Sequence, residues 1–293
     1  MQNIIYLIIH ILFAIGMFIS LKVVNVKRVN KYQAIAVNYF VAMIFTLGDL
    51  LIAGTVIEFP SKLIFPSLIV GTLFVTSFIV MTYSTQKVGI GLTTALNKMS
   101  VVIPVSVGIL YLGQDYGLLL KISGIALALV SFFLILYKKS SGAVKGAFIL
   151  PAMVFILSGL IDTSMELTNS TSISIEGERE LFLLGIFITA FTLSALSAFL
   201  APKSNDNESG FGLKTILYGS VLGLFNFLTS KMILVNVARM GGSVVFPIHN
   251  ASVVMLTALI GVIFFKEHFS RKQWVGVILA IIAVFIIAST MQD

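Results

Sequence analysis

The chain has 293 residues, 58% of them hydrophobic and 11% charged, with a mean hydropathy of +1.06. A soluble domain carries roughly 25% charged residues, so the composition excludes a soluble enzyme, a disordered tail and a secreted disulfide scaffold. Cysteine is absent, which removes disulfides, thiolate metal sites and a cysteine nucleophile. The net charge of +7, with pI about 9.5, reads as basic loops held at an anionic membrane face and not as a nucleic-acid surface.

A bilayer core of about 30 Å needs about 20 mostly apolar residues per helix. Ten such runs follow one another, at 3–21, 33–53, 63–84, 91–112, 117–137, 146–166, 181–200, 213–237, 243–265 and 272–290. Barrel strands are about 10 residues long with alternating polarity, and in lipid a helix satisfies its own backbone. The expectation is an all-α integral membrane protein. The first lysine, Lys22, follows the first run and no small-residue cleavage pattern comes after it, so this run reads as a membrane helix and not a signal peptide. Of the connectors only 167–180 and 201–212 have any length, and neither could fold as a domain.

Residues 97–125 lie over 249–277 without a gap. Ser100-Val101-Val102 meets Ser252-Val253-Val254, Gln114-Asp115 meets Lys266-Glu267, and Gly124 meets Gly276. Gly89 meets Gly241 at the same offset, and with one residue of slip Thr76-Ser77 meets Thr229-Ser230. Polar punctuation aligns as well as apolar filling, so the chain reads as two units, 1–140 and 141–293. Five helices per unit is an odd number. The second unit therefore enters the membrane from the opposite face, giving ten transmembrane helices as two inverted five-helix repeats, with a site expected near the midplane between them.

Ten helices in two similar halves resemble the drug/metabolite transporter superfamily, in particular its EamA-type members. The stretch Phe264-Phe265-Lys266-Glu267-His268-Phe269-Ser270-Arg271-Lys272-Gln273-Trp274-Val275-Gly276-Val277 resembles that family's glycine-glutamate…glutamine…glycine signature, and Leu112-Gly113-Gln114-Asp115 with Gly124 resembles its first-half copy. Two departures stand out: Ile15-Gly16 replaces the usual tryptophan-glycine in helix one, and Phe265 replaces the glycine before Glu267. The resemblance implies this fold, transport of small organic solutes, and a solute cavity between helices of the two halves, with four and nine among them.

Thirteen of the 19 Lys and Arg fall in the odd-numbered connectors and four in the termini and even-numbered ones. The positive-inside rule then places the odd connectors in the cytoplasm and both termini outside; members of the family are usually drawn with both termini inside. The expected location is a bacterial inner (plasma) membrane.

A charge at the bilayer centre costs at least about 2.5–3.5 kcal/mol. Asn97 and Lys98 in run four, their repeat counterparts His249 and Asn250 in run nine, and Lys231 in run eight are therefore the expected substrate-binding residues. Each has a plainer role open to it: snorkelling for the two lysines, a pair with Asp162 for Lys231, and helix-packing hydrogen bonds for His249, Asn97 and Asn250. If the carrier is proton-coupled, Asp162, Glu166 and His249 are the groups to carry the proton. Pro104 and Pro247 are expected hinges. Asp115 and Glu267 read as anchors of helix ends, and His10 has no repeat counterpart in this reading.

Two lysines and one histidine against one acid favour an anionic or zwitterionic metabolite, carried by alternating access. The alternatives are broad efflux of apolar or cationic compounds through a pocket lined by phenylalanine and methionine, or a lipid-handling protein. No HExxH, GxSxG or Walker pattern is present, so an enzyme, a metal site and a cofactor are not expected. The expected partners are the small-molecule substrate, the lipid bilayer and protons; no nucleic acid is expected, and the chain would act as a monomer or homodimer.

Overall fold

A computed structural model describes residues 2–111, 117–136, 149–173, 177–200, 212–240 and 242–289. All of their regular structure is helical: α1 (Gln2–Val26), α2 (Lys31–Ile52), α3 (Ser61–Lys87), α4 (Ile90–Met99), α5 (Val102–Tyr111), α6 (Leu118–Leu136), α7 (Ile149–Thr171), α8 (Glu178–Leu200), α9 (Leu213–Met240), α10 (Gly242–Phe265) and α11 (Arg271–Ala288). Each predicted run reappears as helix, and run four is split into α4 and α5. Among the described residues, eight helical stretches are long and apolar enough to cross a membrane.

The outer surface explains the composition. Ile52, Leu119, Leu110 and Leu213 are all more than four-fifths exposed. Such a surface is a liability in water and the expected lipid-facing coat of a membrane protein. Tyr39, Phe18, Phe187 and Leu63 fill the largest core cluster, and Leu96, Met99, Ile135 and Ile287 a second one.

Lipid tails are as apolar as leucine, so helices in a membrane associate by close packing at small residues. Glycines mark the tightest crossings. A Cβ on Gly124 of α6 would stand 2.6 Å from Ile287 of α11, and one on Gly276 of α11 would stand 2.8 Å from Ile135 of α6. On Gly71 of α3 it would meet the Ile186 carbonyl at 2.8 Å and Thr189 Cβ at 2.6 Å in α8. On Gly219 of α9 it would meet the Ala34 carbonyl at 2.9 Å and Val37 Cβ at 2.7 Å in α2.

Local chemistry sets the turns. Asn30 caps α2 by accepting from the Gln33 N–H, and Arg28 before it adopts a positive φ of 54°. Ser270 and Gln273 form a reciprocal capping box at the start of α11. Gln273 also donates through Nε2 to the Ile135 carbonyl at 3.2 Å, tying α11 to the end of α6.

Two expectations shift. The connector expected from residue 22 is mostly helix, since α1 continues to Val26. The loop expected at 167–180 shrinks because α7 continues to Thr171; Asp162 therefore lies nine residues inside its helix and not one turn from its end. Most of the connector 201–212, and Asp115, lie outside the described residues.

Candidate functional site

Pro104 has no N–H to offer the Ser100 carbonyl, and its ring crowds that carbonyl. Ser100 C=O instead accepts from Ile103 N–H at 2.9 Å, and Ser100 N–H donates to Asn97 C=O at 3.3 Å. The helix breaks there, between α4 and α5. Pro247 is the sixth residue of α10, and that helix runs through it unbroken, as α3 runs through Pro66. The side chain of Pro247 lies outside the described residues.

The break brings α4 against α7. Asn97 donates through Nδ2 to Ser158 Oγ at 2.6 Å. Ser100 Oγ lies 3.5 Å from Asp162 Oδ2 and is also placed to donate to the Asn97 carbonyl. A single hydroxyl proton serves one acceptor at a time, so this serine can switch between them. Lys98, on the same turn, is half-buried and makes no hydrogen bond or ion pair among the described residues; Asp162 is within electrostatic reach of it. The side chain of Glu166 lies outside the described residues.

Across from Lys98, the His249 imidazole of α10 stacks on His10 of α1, with ring centroids 3.9 Å apart and planes 15° from parallel. The two residues are 3% and 1% exposed, and Nδ1 of each lacks a hydrogen-bond partner among the described residues. The charge of Lys98 acts on both rings. Asn250 is buried beside His249. Sequence reasoning left His10 aside, yet the signal was present: His10 and Asp162 are 152 positions apart, as are Asn97 and His249, and Lys98 and Asn250.

Lys231 has another place. It forms an ion pair with Asp49 of α2, and the two line a cavity of about 60 Å³ together with Thr46, Glu180, Leu183, Phe227 and Val235. Of the expected site residues, Asn97, Lys98, Asp162 and His249 are thus brought together, while Lys231 lines this separate cavity. Three other polar residues belong to packing. Asn38 accepts from Asn226 at 3.3 Å, Tyr83 pairs with Tyr32 at 3.4 Å, and Gln86 accepts from Lys31 at 3.1 Å.

The signature stretch acts at helix ends. Glu267 Oε1 accepts from the Ile90 N–H at 2.8 Å and from Lys22 Nζ at 2.9 Å, and Oε2 lies 3.4 Å from the Gly91 N–H. A carboxylate from the α10–α11 loop thus closes the N-terminus of α4, where the helix dipole favours a negative charge. Gly89, with φ of 105°, and Gly261 leave the room: a Cβ at either would lie 2.5 Å from Glu267 Oε2.

A bundle of apolar membrane-crossing helices, with polar and charged side chains turned toward one another inside it, defines an integral membrane protein. Residues 147–289 match the EamA-like transporter family, which lies within the drug/metabolite transporter superfamily. Proteins of that family are transporters and not enzymes. An uncharacterized protein of Haemophilus influenzae is 26% identical over 291 residues, covering 95% of this chain and 96% of that one. A solved crystal structure that is 12% identical superposes with a TM-score of 0.58 over 98% of this chain and 97% of its own, and so shares the fold.

Proposed function

We propose that the chain is a secondary transporter of a small organic solute bearing a carboxylate or phosphate, an anionic or zwitterionic metabolite, working by alternating access between two inverted repeats, 1–140 and 141–293. The observation that carries the reading is Lys98: an ammonium group without an ion-pair partner among the described residues, set between helices α1, α7 and α10 at the point where run four breaks. Such a charge is costly in a membrane unless something of opposite sign visits it. Lys231 is neutralised by Asp49, so the sign of the site rests on Lys98 with His249 and Asn97 as donors beside it.

Reciprocal contacts support the repeat. Gly124 against Ile287 and Gly276 against Ile135 are one contact made twice, since each residue is paired with its counterpart 152 positions on. Two-fold related surfaces meet in this way. The crossings of Gly71 on Ile186 and Thr189, and of Gly219 on Ala34 and Val37, use matching partner surfaces one helical turn out of register: Ala34 and Ile186, like Val37 and Thr189, differ by 152, while the two glycines differ by 148. His10 with His249 and Asp162 with Asn97 and Lys98 then occupy equivalent positions about the axis. The bacterial relative supports a plasma-membrane location.

A thermal-shift screen on purified protein in detergent tests the solute class. Succinate, glutamate or phosphate should raise the melting temperature of the wild type and not of Lys98→Ala. Stabilisation by hydrophobic cations in their place would favour the efflux reading.

A further inference from the structure

We propose that the stacked imidazoles of His10 and His249 are the proton site of this transporter, taking up one proton when an anionic group settles at Lys98. The proposal rests on the anionic-solute reading above and adds its coupling ion.

The stack joins α1 to α10, one helix from each half, at a ring separation of 3.9 Å. A phenylalanine would pack there equally well. Two buried Nδ1 atoms without partners call for a further reason, and proton exchange supplies one. The charges on the surrounding helices are few. Lys98 of α4 acts on both rings, and Asp162 of α7 acts on Lys98. On α9, Lys231 is paired with Asp49 of α2, and Arg239 lies over the Tyr6 ring of α1 at 4.2 Å. Lys214 of α9 stands in its first turn. Lys31 of α2, Lys62 and Lys87 of α3, and Arg271 and Lys272 of α11 stand in the first or last turns of their helices, and Lys22 of α1 is bound to Glu267. Lys98 is therefore the charge that governs the pair.

While Lys98 is charged and no anion sits beside it, it opposes a second positive charge on either ring. An anion at Lys98 removes that opposition. One imidazole nitrogen then takes a proton from water through its lone pair, and the other ring stays neutral. When the anion leaves on the opposite side, the proton returns to water there. The coupling is reciprocal: the anion raises proton affinity and the proton raises anion affinity by the same factor. Between the pH at which the empty site loses this proton and the higher pH at which the anion-loaded site loses it, anion affinity falls up to tenfold per pH unit, and above that range it is level.

The test uses full-length protein carrying His268→Asn, so that His10 and His249 give the histidine signals, labelled with nitrogen-15 and titrated in nanodiscs by NMR. Lys98→Met should move proton uptake by the pair at least one unit higher in pH, a tenfold gain in proton affinity. An unchanged titration would overturn the proposal. In a second arm, proteoliposomes with a trapped pH-sensitive dye receive an equimolar mixture of succinate, glutamate and inorganic phosphate. Wild type should carry protons inward with solute. His10→Phe/His249→Phe, which keeps two stacked rings and removes both imidazoles, should move no protons with whatever solute it carries; proton movement per solute as large as in wild type would also overturn the proposal. If wild type moves none of the three anions while the Lys98→Met shift is intact, the anionic-solute reading fails and the coupling of the imidazoles to Lys98 is supported.

Discussion

The Glu267 carboxylate accepts a hydrogen bond from the Ile90 N–H at 2.8 Å, so the loop after α10 holds the first turn of α4. Glu267 also pairs with Lys22, and both side chains are largely buried. Removing one member of a buried ion pair costs about 3–5 kcal/mol. Glu267→Ala should therefore lower stability by about 3 kcal/mol. Glu267→Gln, whose amide oxygen still accepts from Ile90 but leaves Lys22 without its counter-charge, should also destabilise, by roughly 1 kcal/mol less than Glu267→Ala, the scale of the helix cap it keeps. Thermal unfolding of the purified variants in one detergent reads both; equal midpoints for Glu267→Ala and wild type would remove the clamp.

The paired glycine contacts predict paired costs. Gly124→Ala and Gly276→Ala each force a methyl group against an isoleucine, an overpacking of about 1–3 kcal/mol. The two should fall within about 0.5 kcal/mol of each other, and Ile287→Ala should relieve the first while leaving the second. Midpoints that differ widely, or relief of the wrong variant, would argue against a two-fold arrangement of α6 and α11.

Healing the break is a third test. Pro104→Ala restores an N–H to the Ser100 carbonyl and should make α4 and α5 one helix. Removing a helix-interior proline gains stability where the helix can close, so the variant should melt no lower than wild type. It should transport about tenfold more slowly, since Asn97, Lys98 and Ser100 leave the positions the break gives them. Normal flux in a variant of normal stability would show that the break has no role in transport.

Orientation can be read chemically because the chain has no cysteine. A cysteine at Lys27, in the first connector, should react with an impermeant maleimide only after the cells are opened. One at Glu58, in the second connector, should react in intact cells. The reverse pattern would give both termini to the cytoplasm.

The apolar runs were legible because a bilayer imposes length and hydropathy together, and helix ends shifted by a few residues where polar residues such as Asn25 and Thr171 still belong to a helix. Glu267 was legible as an anchor from its place in a repeated loop. The break at Ser100 was half legible: Pro104 marked it, but Pro247 carried the same mark in a helix that stays whole. Two features were missed. His10 escaped because the residue 152 positions on, Asp162, differs from it in chemistry. The Lys231–Asp49 pair escaped because depth along a helix says nothing about which neighbour a side chain faces.

The central claim is that Lys98 receives the solute's negative charge. Uptake of radiolabelled succinate, glutamate and phosphate into proteoliposomes, compared between wild type and Lys98→Ala at matched stability, addresses it most directly. The account predicts uptake by wild type that Lys98→Ala abolishes and Lys98→Arg partly keeps. Equal uptake by wild type and Lys98→Ala would contradict it.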